Sequence, residues 1–253
     1  MSNSTVRFKK LFSEWLPVFG LTLCTFVFNT SEFVPIGLLS DIAGDFNTSE
    51  AHAGLLITVY AWVVALLSLP LMLLVSKMEY RKLLLIVIGF FVVNHLLSAF
   101  STSYSFLMFS RIGVACSHAI FWSIVAPLAV RVAPDGYRST ALSFIVAGSS
   151  IAMIVGLPLG RAIGLAIGWR MTFLFIAILA FLVWLLLIFI FPKAPSRNAI
   201  SLRKLPSLFK NPMLIGVYVL TVIFVTGHYT VYSYIEPFLA QVAGLSNNAI
   251  TLV

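Results

Sequence analysis

The chain has 253 residues, 60% of them hydrophobic and only 9% charged, and a net charge of +8. A soluble domain carries about 25% charged residues, so the composition excludes a water-soluble globule and points to a polytopic membrane protein. In such a chain the excess positive charge is read by its position along the sequence, not as a surface for nucleic acid.

In chain order, the basic stretch "MSNSTVRFKKLFSEW" leads into an apolar run without a small-residue cleavage site. It reads as a retained first span, not a signal peptide. A bilayer-crossing helix needs about 20 mostly apolar residues. Seven segments qualify: 15–39, 54–75, 83–100, 106–130, 141–164, 172–191 and 213–239. Residues 1–191 therefore form a six-helix half, 192–212 a basic linker, and 213–253 the start of a second half with its first helix. Cys24 and Cys116 sit inside apolar runs, which favours buried, reduced thiols.

The cations cluster in alternate connections. Arg7, Lys9 and Lys10 precede the first span, and Lys77, Arg81 and Lys82 lie between the second and third. Arg131 and Arg138 follow the fourth, and Lys193, Arg197, Arg203, Lys204 and Lys210 fill the linker. The other side holds Asp41, Asp45 and Glu50, with Arg161 and Arg170 as its cations. A cytoplasmic N-terminus puts every basic cluster inside. "SDIAGDFNTSEA" after the first span resembles "AQVAGLSNNAI" after the seventh, with Glu32 ahead of Pro35 and Glu236 ahead of Pro237. This weak repeat predicts a protein of about twelve helices, of which this chain would be the first part, inactive without the rest.

Polar residues inside the spans fall into stripes. Thr22, Thr25, Asn29 and Glu32 are spaced three, four and three, which is one helical face. For the threonines, ordinary helix–helix hydrogen bonding is an equal alternative. An intramembrane carboxylate is costly and marks a proton or ion path. Arg111, Ala115, His118 and Trp122 share a face of the fourth span. Arg111 and Glu32 each lie about seven residues, or roughly 10 Å, from the outer end of their helices, so the two are expected to pair. In the seventh span His228 and Tyr232 share one face, and Tyr229, Ser233 and Glu236 another. Tyr60 and Trp62 are candidates for stacking on a ligand, with packing as the alternative, and Asn94 and His95 are weaker candidates. No Cys, His and carboxylate cluster has metal-ligand spacing. In the fifth span Gly148, Gly156, Pro158, Gly160 and Arg161 predict tight packing, a hinge or a seal near the outer half.

The stretches "FNTSEFVPIGLLSDIA", "YAWVVALLSLP", "SRIGVACSHAIFWSIVAPLAVRVAP", "GLPLGRAIG", "GWRMTF" and "HYTVYSYIEPF" together resemble the major facilitator superfamily. The likeness is greatest to bacterial sugar efflux transporters of the SotB type, in the drug/proton antiporter branch. It runs over essentially the whole chain. It implies an all-α integral membrane fold with the first, fourth and seventh spans around a central cavity. Gly156, Pro158 and Gly160 resemble the fifth-helix antiporter motif, with Arg161 where a glycine is expected. "LLVSKMEYRKLLL" resembles the loop between helices two and three, with Ser76 in place of its aspartate. Arg111 resembles a fourth-helix arginine linked to proton coupling.

The expectation is a monomeric exporter of small sugars or related metabolites in the bacterial inner membrane. It is driven by the proton gradient and has no other cofactor. Glu32 and Arg111 would couple protons, and Asn29, Tyr60, Trp62, His118, Trp122, His228, Tyr232 and Glu236 would contact substrate. A multidrug/proton antiporter is the alternative. No nucleophile–base pair is in evident reach, which argues against an enzyme.

Overall fold

The computed structural model describes residues 3–195 and 210–252, with side chains for 13–195, 210–247 and 249–251. Most of the expected basic linker, residues 196–209, lies outside the described residues. All regular structure among the described residues is helical: α1 (Asn3–Gly37), α2 (Leu39–Asp45), α3 (Glu50–Ala53), α4 (Leu55–Val75), α5 (Tyr80–Ala99), α6 (Tyr104–Val132), α7 (Arg138–Ile151), a π-turn (Ala152–Gly156), α8 (Leu157–Ile167), α9 (Trp169–Ile190), α10 (Pro212–Tyr232), α11 (Ile235–Gln241) and α12 (Asn247–Leu252). Seven stretches are long and apolar enough to cross a membrane: Ser13–Gly37, Glu50–Val75, Tyr80–Ala99, Tyr104–Val132, Arg138–Ile167, Trp169–Ile190 and Pro212–Gln241. The chain divides into two compact units, Met1–Ser196 and Arg197–Val253.

In the first unit α1 packs against α6, α9 and the α7–α8 stretch, while α5 lies against α6 and α9, and α4 against α6. Phe28 of α1 stacks between Phe91 of α5 and Phe121 of α6, with both centroid distances 4.0 Å. Offset-stacked rings at such spacing add about 0.5–1.5 kcal/mol per pair beyond their area.

The contact between α1 and α7–α8 is a ladder of glycines. A Cβ at Gly148, Gly156, Gly160 or Gly164 would come within 3.0 Å of Thr22, Thr30, Val34 or Leu38, respectively. The pairs 148/22, 156/30, 160/34 and 164/38 share one offset, 126 residues, so the two helices run parallel in a single register. Small residues let backbones approach this closely, and without them the gain in van der Waals contact is lost. Steps of four residues drift about 40° per step on an α-helix. A π-turn takes some of that drift back, because its turns are wider. Its cause is local: Pro158 has no N–H for the carbonyl of Ile154, and the Leu157 N–H reaches back to the Ala152 carbonyl instead.

Arginines fasten both ends of this bundle to main-chain carbonyls. At the end where α1 finishes, Arg161, only 3% exposed, donates to the carbonyl of Gly37, the last residue of α1. Arg170 pairs with Asp45 at 2.8 Å and donates to the Ser101 carbonyl at 2.9 Å. At the opposite end Arg81 donates to the Ile188 carbonyl at 2.6 Å and Arg131 to the Pro195 carbonyl at 2.5 Å. There the Glu79 carboxylate accepts from the Ala194 N–H at 2.8 Å. A cation on the last carbonyls of a helix satisfies orphan acceptors and complements the helix dipole.

In the second unit Asn211 caps α10, its Oδ1 accepting from the N–H groups of Met213 and Leu214. No residue of α10 is buried. The span expected to run unbroken over 213–239 is broken at Ser233–Tyr234, just ahead of Pro237.

Substitution of Gly156 by leucine is expected to lower the stability of the purified protein by about 1–3 kcal/mol through overpacking. Gly44→Ala, whose Cβ would meet nothing within 4 Å, should be neutral or slightly stabilising. Thermal melting of the two variants in detergent makes the comparison.

Candidate functional site

Pro35 lies inside α1 and has no N–H, so the carbonyl of Ser31, four residues earlier, has no intrahelical partner. Arg111 of α6 takes it, with Nη1 3.3 Å from the Ser31 oxygen. The guanidinium, 2% exposed, also lies 4.7 Å from the centroid of the Tyr60 ring and 5.7 Å from that of Phe173. A carbonyl and two ring faces together accommodate a deep cation. The expected Glu32–Arg111 ion pair is not formed. The carbonyl released by Pro35 holds Arg111 on the main chain of α1 instead.

Glu32 faces a different residue of α6. Its Oε2 is 3.3 Å from Nε2 of His118, with the histidine side chain 1% exposed and the carboxylate 31% exposed. The separation suits an ion pair when the imidazole is protonated, but the atoms are not aligned as a hydrogen bond. The imidazole is ringed by Tyr60, Phe28 and Trp122, with centroids at 5.5, 5.1 and 6.3 Å. Both nitrogens of His118, the Tyr60 hydroxyl and Nε of Arg111 are buried and make no hydrogen bond. Buried polar atoms are normally satisfied, and four of the unsatisfied ones fall on His118, Tyr60 and Arg111.

A second polar link crosses from α1 to α5. The Ser31 hydroxyl is 2.7 Å from Nε2 of His95, and the other ring nitrogen is 3.0 Å from the Phe91 carbonyl. A carbonyl only accepts, so Nδ1 carries the hydrogen, and Nε2 of the neutral ring accepts from Ser31. Ser31 thus joins α5 through its side chain and α6 through its carbonyl. Ser31 is not among the residues that the sequence singles out, and His95 is a weaker candidate there. The available signal was a serine exactly four residues before a mid-helix proline. Beside this link Ser98 and Ser110 bond at 2.8 Å, and the Asn94 amide fills the space that a side chain at Gly113 would need.

The remaining candidates divide by position. Asn29 is buried on α1, the helix that carries Ser31 and Glu32. The hydroxyls of Thr22 and Thr25 donate to their own helix, to Val18 and Leu21, on the side that meets Gly148. Trp62 is 58% exposed. It stands two residues from Tyr60, about 200° around the helix, and is not brought to the cluster. Gly148, Gly156 and Gly160 lie in the ladder, with Pro158 beside its π-turn and Arg161 on the end of α1. His228 and Tyr232 stack at 5.7 Å with an interplanar angle of 14° on α10, and Glu236 is buried in α11. These three belong to the second unit. Among the described residues no group of His, Cys, Asp and Glu could hold a metal ion.

Loss of Arg111 leaves the Ser31 carbonyl bare, and removal of Pro35 returns an N–H to it. Arg111→Ala should therefore cost less stability in a Pro35→Ala background than in the wild type. The coupling should be about 1 kcal/mol or more, measured by melting the four members of the double-mutant cycle.

The family model described as Major Facilitator Superfamily matches residues 21–253. Among solved structures the chain is similar to a bacterial homolog of the human lysosomal transporter Spinster. The inward-facing, unoccupied form gives a TM-score of 0.76 at 17% identity, over 95% of this chain and 58% of that one. The inward-facing, occupied form gives 0.71 at 19% identity, over 93% and 56%. A peptide transporter, POT, in complex with sulfate gives 0.64 at 12% identity, over 92% and 48%. The chain thus spans little more than half the length of the Spinster homolog, and the likeness is one of fold.

Proposed function

This chain belongs to the Major Facilitator Superfamily, and we propose that it serves proton-coupled export of small hydroxylated molecules, sugars or related metabolites, by alternating access. One observation carries the reading: a partly exposed carboxylate, Glu32, stands 3.3 Å from a fully buried imidazole, His118. Glu32 alternates between its charged form, held against His118, and its protonated form, which releases the ring. The freed imidazole, with the Tyr60 hydroxyl and Nε of Arg111, offers hydrogen bonds to ligand hydroxyls, while the half-buried Trp122 supplies a flat apolar face. Proton and substrate then compete for one cluster, so each changes the affinity for the other. Arg111 acts by holding the Ser31 carbonyl and so positioning the Glu32 turn. The resemblance read from the sequence supplies the sugar and the outward direction. The half-buried Trp122 beside His118 favours a second reading, export of lipophilic drugs.

The test is efflux of a panel of labelled sugars and drugs from cells expressing the full-length protein, with and without a pH gradient. Coupling of this kind changes ligand affinity on the order of 5–150-fold. In Glu32→Gln that proton effect should fall to about one while substrate binding persists. Unchanged proton-driven efflux in this variant sinks the proposal. The panel decides between sugar and drug.

The proposed placement is a bacterial inner membrane with a cytoplasmic N-terminus, supported by the cations in the connections of the sequence. In intact cells a cysteine replacing Thr102 should react with a membrane-impermeant maleimide. One replacing Lys77 should react only after permeabilisation.

A further inference from the structure

The seam between α5 and α9 opens at the surface into a groove of about 490 Å³. Its mouth carries Glu79, Arg81 and Lys82, at the start of α5. Its walls are apolar: Ile86, Gly89 and Phe90 from α5, and Trp184 from α9. The positions 82, 86 and 90 recur every four residues, so the groove follows one stripe of α5 away from the mouth. The nine steps from Arg81 to Phe90 cover about 13.5 Å of helix, close to the roughly 15 Å of one hydrocarbon leaflet.

The groove is built rather than incidental. Trp184 is fixed by its indole N–H, which donates to the Leu85 carbonyl at 2.8 Å. Gly89 leaves the space in front of that ring open, since a Cβ there would lie 3.7 Å from the indole nitrogen. Arg81 is held at the mouth by its bond to the Ile188 carbonyl, and its Nε remains without an acceptor. Glu79 is turned to the Ala194 N–H. Two cations and one carboxylate leave the mouth with a single net positive charge.

We infer that this groove binds an anionic phospholipid, with the phosphodiester at Arg81 and Lys82 and one acyl chain along Ile86, Gly89, Phe90 and Trp184. The charge matches one phosphodiester, and the length matches one leaflet. Basic mouths on apolar clefts between membrane helices are suited to such headgroups. The site is separate from the Glu32–His118 cluster and stands whether or not that cluster couples protons.

The test is competition in mixed micelles holding equal amounts of phosphatidylglycerol and phosphatidylcholine, with lipid retained by the full-length protein counted by native mass spectrometry. The wild type should retain phosphatidylglycerol preferentially. Lys82→Ala, an exposed change, should lower that retention about fivefold, the factor expected for one basic residue at a membrane surface. Lys77→Ala removes an equal charge outside the groove and should leave it unchanged. Gly89→Leu, which fills the groove, should lower retention of both lipids while the melting temperature holds. Equal retention of the two lipids by the wild type, or an equal loss in Lys77→Ala, overturns the inference.

Discussion

One missing hydrogen organises the first unit. Pro35 denies an amide to the carbonyl of Ser31 in an environment where no solvent can replace it. That acceptor draws the guanidinium of Arg111 across from α6. The same residue's hydroxyl reaches His95 on α5, and the next residue, Glu32, faces His118. Three helices therefore meet at one turn of α1. The polar chemistry of the bundle collects at that turn because the backbone there is the place where a hydrogen-bond partner is lacking.

The same economy recurs at the helix ends. Arg161 reaches the terminal carbonyl of α1, and Arg81 one of the last carbonyls of α9. Arg131 and Arg170 bond to Pro195 and Ser101. The first two answer acceptors that helices necessarily leave unpaired, and the other two hold the chain just beyond α9 and α5. Acidic partners include Asp45 for Arg170, and Glu32 opposite a histidine. With so few carboxylates in the chain, carbonyls do the work that counter-ions do in soluble proteins.

Much of this was legible in the sequence. Span lengths follow from the apolar runs, and the shared face of Arg111, His118 and Trp122 follows from their spacing. The partner of Glu32 was not legible. Equal depth fixes height along two helices and says nothing of the angle around them, and it overlooked a competing acceptor beside Glu32. Tyr60 and Trp62 show the same limit at short range, since two residues on a helix point to nearly opposite sides. Arg161 read as a departure from a glycine motif, because its partner, Gly37, is 124 residues away. The break at Ser233 was hidden by an uninterrupted apolar run.

The fixed offset between α1 and the α7–α8 stretch bears on motion. Gly156, Gly160 and Gly164 are sockets for Thr30, Val34 and Leu38, repeating about every 6 Å along the axis at four residues per step. Sliding by less than a full step would drive Thr30 or Val34 into backbone. The two helices can therefore stay locked or jump a whole notch, but they cannot creep past one another. Small conformational adjustments in this unit must carry both as a single beam, and flexing falls to the contacts without sockets.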